Sequence, residues 1–115
     1  MRRGDIVWVD LDPVLGSEAN QRRPAVVLSN DGANRMAQTL GRGVITVVPI
    51  TSNVGRVYPF QVSIPAKVGG LSKASKAQAE QIRSIAVQRV LGTAGHLPAD
   101  LLDQLDAAVR LHLSL

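Results

Sequence analysis

Two β-branched runs, Pro24–Ser29 (PAVVLS) and Val44–Ile50 (VITVVPI), constrain the fold of this chain more than any other feature. Runs this short cannot make a useful helix, and with no polar face they read as central strands. Pro24 is placed at the first position of its run, where a strand tolerates a residue without an N–H. Gly4–Asp12 (GDIVWVDLD) alternates Ile6 and Trp8 with Val7, Val9 and Leu11, a further strand apolar on both faces and bounded by Asp12-Pro13. Pro59–Ile64 (PFQVSI) sets Phe60, Val62 and Ile64 on one face, and Lys76–Glu80 and Ile82–Ala86 read as short strands of small residues. Ser29-Asn30-Asp31 offers N-cap side chains to a short helix over GANRMAQ, with Ala33 and Met36 expected to face inward. Gly69-Gly70 marks a turn, and Gly92 and Gly95 place His96 in a glycine-rich turn.

One long helix is predicted over Pro98–Leu113, with Leu101, Leu102, Leu105, Ala108, Val109 and Leu113 on a single stripe. Pro98 suits the first turn, and Asp100, Asp103 and Arg110 complement the helix dipole. No helix-length segment separates the strands, which disfavours a parallel α/β fold. The expectation is a mainly β protein with short helices, a small curled sheet or barrel plus a C-terminal helix, in one domain over residues 1–115.

Composition removes several classes of function. The chain has no cysteine, which excludes disulfides and thiolate metal ligands. Val44–Ile50 is too short to span a bilayer, and Met1-Arg2-Arg3 leads into a stretch interrupted by Asp5, Asp10 and Asp12 rather than a secretory signal. A cytoplasmic protein with no membrane partner is expected. His96 and His112 have no ligand-type neighbours at metal-binding spacing, so no metal and no other cofactor is expected. The patterns GxSxG, GxGxxG and GxxxxGK[ST] do not occur. From Pro98 onward Asp100, Asp103 and Asp106 face Arg110 alone, a local charge of −2, so the remainder holds +6 of the net +4. That body charge suits an anionic partner, although it also serves solubility.

What chemistry remains is carried by polar residues at strand ends, where a rigid scaffold presents side chains to a cleft. Arg22-Arg23 stands before the PAVVLS run, Thr51-Ser52-Asn53 follows VITVVPI, and Glu80-Gln81-Ile82-Arg83 interrupts the later strands. An arginine fork and a threonine hydroxyl can hold a phosphate. RNA brings its own nucleophile, the 2′-hydroxyl, so its cleavage needs charge stabilisation and proton transfer rather than a bound metal. From the residues alone, Arg23 reads more readily as a surface charge and Thr51 as a strand terminator than as a catalytic pair. Lys73 and Lys76, in SKASKA, read either as phosphate ligands or as charges that protect a sheet edge.

The segments RRGDIVWVDLDPVLGSEANQRRPAVVLSND, ITVVPITSN, AEQIRSI and LDQLDAAVRLHL occur in this order over nearly the whole chain. Together they resemble the MazF/PemK-like family of toxin endoribonucleases. The resemblance implies an SH3-like small β-barrel, a homodimer, and sequence-specific cleavage of single-stranded RNA to 2′,3′-cyclic phosphate and 5′-hydroxyl ends. It places the catalytic arginine at Arg23, the catalytic threonine at Thr51 and an assisting carboxylate at Glu80. Glu18, Asn20, Arg22, Ser52, Asn53, Gln81 and Arg83 are the implied RNA contacts. The implied partner is a MazE-like antitoxin whose disordered acidic segment covers the RNA groove. SKASKA at Ser72–Ala77 departs from the stretch that relatives often carry there. Two other readings share the scaffold: a CcdB-like, non-catalytic toxin acting on DNA gyrase, and a catalytically inactive RNA-binding homologue.

Overall fold

The computed structural model describes residues 1–11 and 22–115. Seven strands and two α-helices follow one another as β1 (Asp5–Asp10), β2 (Arg22–Val27), α1 (Asp31–Leu40), β3 (Val44–Thr51), β4 (Gln61–Ile64), β5 (Ser75–Gln78), β6 (Arg83–Ala86), β7 (Val90–His96) and α2 (Ala99–Leu113). Among the described residues every pairing is antiparallel. The strand order is β4-β5-β3-β2-β1-β7, with β6 paired beside β3. Among the described residues β4 and β7 do not meet, so the sheet is curled and barrel-like without being closed.

The continuous apolar runs are explained by cores on both faces. Ile6, Val26, Val48 and Ile50 pack with Leu97, Leu105 and Ala108, whereas their neighbours Val7, Val9, Val27 and Val47 pack with Ile45, Ala37 and Ile85. Because successive side chains of a strand point to opposite faces, a strand covered twice shows no alternation. Each fully buried Val, Ile or Leu contributes roughly 1.5–3 kcal/mol relative to exposure. The α2 helix closes the first core through Leu105 and Ala108, with Leu101, Leu102 and Val109 half-buried beside them. Leu113, expected on the same stripe, is exposed because it lies in the helix's last turn. The α1 helix seals the second core.

Both strand prolines stand where a missing N–H is tolerated. Pro24 is the third residue of β2, not the first, but the ladder to β3 begins only at Ala25. On its far edge β3 pairs with β6 through Val47 and with β5 from Ile50, which leaves Pro49 at the handover between the two partners. A proline there interrupts no ladder on that side.

The phase of α1 differs from the sequence expectation. Asn30 caps it, its side-chain oxygen accepting from the Ala33 N–H at 2.8 Å. Asn34 and Ala37 therefore face inward, while Met36 is exposed. Asn34 is fully buried because it is satisfied: its amide donates to the Ser29 carbonyl at 2.8 Å and its oxygen accepts from the Ser29 hydroxyl. The segment containing Gly92 and Gly95 is the strand β7 rather than a turn, so His96 ends a strand. Gly95 is required by contact, since any Cβ there would collide with the Gly69 carbonyl, and a Cβ on Gly70 would meet that of Ala94. Phe60 precedes β4 instead of sharing its buried face, and its ring lies against Tyr58.

Candidate active site

Antiparallel registration decides which polar strand ends meet. The β2–β3 pairs Ala25↔Pro49, Val26↔Val48 and Val27↔Val47 fix a register that, continued by two residues, sets Arg23 opposite Thr51. On the other side of β3, Thr51 pairs with Lys76. Arg23 and Thr51, remote in sequence, thus stand at one end of neighbouring strands.

Both line a cavity of about 500 Å³. Trp8, Pro24 and Ile50 give it an apolar wall, and the segment from Gly70 to Lys73, with Ser75, forms the side facing β2 and β3. The polar lining consists of the cations Arg22, Arg23 and Lys73 and the hydroxyls of Thr51, Ser52, Ser72 and Ser75, with no carboxylate among the described residues. Thr51 is half-buried, and its Oγ1 accepts from the Asn53 N–H at 3.2 Å, which leaves its O–H to donate outward. The Ser75 O–H is taken up by the Lys73 carbonyl at 2.9 Å, and the remaining wall of arginine forks, a lysine charge and hydroxyls is suited to a phosphodiester.

Arg22, Arg23, Thr51 and Ser52 are therefore brought together. Asn53 is beside them but outside the cavity wall, and its Oδ1 accepts from the Gly55 N–H at 3.4 Å in a local turn. Glu18 and Asn20 lie outside the described residues. Glu80 is not part of the cavity lining. Its Oε2 accepts from Gln61 Nε2 at 2.6 Å, and its Oε1 is buried with no hydrogen-bond partner. Gln61 in turn accepts, through Oε1, from the Tyr58 N–H at 3.1 Å. Gln81 and Arg83 are exposed near Glu80, with Arg83 opposite Val47 on β6. Among the described residues no group of His, Cys, Asp or Glu is arranged to hold a metal ion, and no helix is long and apolar enough to cross a membrane.

Sequence reasoning left Lys73 and Lys76 undecided, and the structure separates them. Lys73 lines the cavity. Lys76 is only 8% exposed, and its Nζ donates to the Arg56 carbonyl at 2.6 Å, so it does not protect an edge. Ser72 and Ser75 were not singled out as site residues; their sole signal is proximity to Lys73 in SKASKA.

Fold and site together define a small antiparallel β protein with an arginine–threonine pocket shaped for an anionic ester. Comparison with known proteins gives the family. Residues 2–113 match the model for the PemK-like, MazF-like toxin of type II toxin-antitoxin systems, and the chain belongs to this family. It is 63% identical over 115 residues to Endoribonuclease MazF9 of Mycobacterium tuberculosis, covering 100% of this chain and 98% of that protein. It is 36% identical to Endoribonuclease EndoA of Bacillus subtilis, covering 100% and 96%. The MazE-MazF crystal structure (Form-II) from Deinococcus radiodurans superposes with a TM-score of 0.80 at 30% identity, covering 100% of this chain and 96% of that one.

Proposed function

We propose that the chain, an endoribonuclease toxin, cleaves single-stranded RNA without a metal, as one unit spanning residues 1–115. The observation that carries this reading is that Arg23 and Thr51, at adjoining ends of the paired strands β2 and β3, line one cavity of cations and hydroxyls. In the proposed reaction the 2′-oxygen attacks the adjoining phosphorus and the bond to the 5′-oxygen breaks. The products are a 2′,3′-cyclic phosphate and a 5′-hydroxyl. Arg23 stabilises the charge that accumulates on the phosphoryl oxygens and donates towards the departing 5′-oxygen, while the Thr51 hydroxyl orients the phosphate. The 2′-hydroxyl proton leaves to solvent and the departing 5′-oxygen takes up one proton from solvent, so no net proton is consumed and Arg23 stays protonated throughout.

Arg22, Ser52 and Lys73 bind neighbouring phosphates in this reading, and Asn53, Gln81, Arg83, Glu18 and Asn20 extend the RNA contacts. Glu80, held by Gln61 away from the cavity wall, acts in positioning rather than as the base at Arg23 and Thr51. Family membership supports an antitoxin partner, and the +6 body favours an acidic, disordered segment lying across the same cavity. A homodimer and a cytoplasmic location complete the proposal.

The test is cleavage of a long mixed-sequence RNA in EDTA, with chemical identification of the new ends and a gyrase supercoiling assay in parallel. Cyclic phosphate and 5′-hydroxyl ends with unaffected gyrase are expected. Inhibited supercoiling with intact RNA would instead assign the chain to the gyrase-poisoning class. Salt-dependent RNA binding without cleavage would make it an inactive homologue.

A further inference from the structure

Beyond the cavity, the loop between β3 and β4 carries an ordered column of rings and cations. The Tyr58 and Phe60 rings are stacked, with centroids 5.3 Å apart and planes 4° from parallel. The Arg56 guanidinium lies over the Tyr58 ring at 4.6 Å, Lys76 Nζ is 5.9 Å from the same centroid, and His112 of α2 meets Phe60 at 6.5 Å. These are three of the chain's few aromatic and imidazole rings, and Tyr58 is 38% exposed with exposed Val54 and Val57 nearby. A folded domain has little reason to gather aromatics outside its core unless they contact something.

Two anchors connect this column to the body. Lys76, the partner of Thr51 across the sheet, holds the Arg56 carbonyl. Glu80 holds the Gln61 side chain, which holds the Tyr58 N–H. Lys76 thus joins the column to the strand end that carries Thr51, and the half-buried Glu80 carboxylate fixes it through Gln61.

We propose that Tyr58, backed by Phe60, is a stacking subsite for one unpaired base of the RNA strand that flanks the scissile phosphate, an inference that rests on the RNA-cleavage reading above. The base takes the face of Tyr58 as the exposed Arg56 guanidinium transfers from ring to adjoining phosphate. Proteins that follow single strands use this combination, because every base offers a π-face and every linkage a charge. Gln61 and Glu80 are positioning residues that act through Tyr58.

The experiment uses a set of oligoribonucleotides, each lacking one base at a flanking position, against the wild-type protein, Tyr58→Ala and Tyr58→Phe. Cleavage is followed under single turnover, and binding is followed with the same strands carrying a 2′-deoxy sugar at the cut. Tyr58→Ala should raise KM roughly 5- to 150-fold, the range for one stacked base, with kcat changed by less than about twofold. Tyr58→Phe should restore the wild-type value. Removal of one particular base should weaken wild-type binding by the same factor and leave Tyr58→Ala unaffected. Glu80→Ala should blunt that base dependence, and Glu80→Gln should preserve it. If Tyr58→Ala and the wild type respond alike at every abasic position, the subsite is refuted and the ring serves the loop or a protein ligand. If base-dependent binding is present but no strand is cut, the nuclease reading fails while the stacking subsite stands.

Discussion

The opposition of Arg23 and Thr51 can be tested as a coupling rather than as two separate losses. Both line one cavity and, in the proposed reaction, both touch one phosphoryl group. Deleting a pre-organised charged donor from a developing oxyanion lowers kcat by about 10²- to 10³-fold, which is about 2.7–4 kcal/mol, and Arg23→Ala should fall there. Thr51 contributes a neutral hydroxyl, whose bond is worth roughly half a charge-assisted one, so Thr51→Ala should lose about 10- to 100-fold. Groups that act on one phosphate lose less together than the product of their single effects. The double variant should therefore lie within about tenfold of Arg23→Ala. Arg23→Lys should recover only part of the loss, since it keeps the charge and gives up the fork. Thr51→Ser keeps both the outward O–H and the acceptor for the Asn53 N–H, and should remain close to wild type. The assay is single-turnover cleavage of one RNA at saturating protein, with thermal melting in parallel. Arg23 is exposed and Thr51 half-buried, so each melting temperature should stay near the wild-type value. Fully multiplicative losses would refute the shared-phosphate geometry, and undiminished cleavage by both single variants would refute the assignment.

Three further outcomes follow from the fold. Gly95→Ala drives a methyl group into the Gly69 carbonyl and should lower stability by about 1–3 kcal/mol or more, read from urea unfolding. Leu105→Ala opens a void where the helix α2 meets the first core and should cost about 2–5 kcal/mol by the same measurement. Asp5 accepts from the Arg2 N–H at 2.8 Å and lies 2.8 Å from His96 Nδ1. Burial by itself would raise its pKa, but the hydrogen bonds and neighbouring positive charge hold it below the ordinary 3.8. Because the depressed value belongs to the folded state, the stability that Asp5 contributes is present above about pH 3.8 and is lost as the pH falls through the lowered value. Asp5→Asn should flatten this part of the acid unfolding curve. An unchanged curve would mean that the pair carries no stability.

The legible parts of this chain were those in which one physical signal had no competitor. The runs at Val26 and Val48 contain nothing but strand-forming residues, and the stripe through Leu105 and Ala108 has helical spacing with a proline at its start. Strand β7 was hidden because Gly92 and Gly95 carry the local signature of a turn. The requirement at Gly95 comes from the Gly69 backbone, distant in sequence. The phase of α1 was hidden because its most deeply buried residue is polar: Asn34 looks like surface until Ser29 is known to face it. Within the site, Arg23 and Thr51 were each visible as strand-end residues, but their meeting depends on a pairing register that no local pattern encodes. The burial of Lys76 against the Arg56 carbonyl ran against the usual behaviour of lysine, and only the fold could reveal it.

Strand β3, with its proline at the handover, is shared by β2 along one edge and by β6 and β5 along the other. A segment with neighbours on both sides and cores on both faces belongs to the last unit of a protein to open, so its amides should exchange only through global unfolding. Thr51, the final residue of that segment, is therefore supported by the most durable part of the molecule. Melting of β3 itself would cost nearly the full unfolding free energy. A ligand that occupied the pocket would restrain Thr51 while the fold beneath stayed intact.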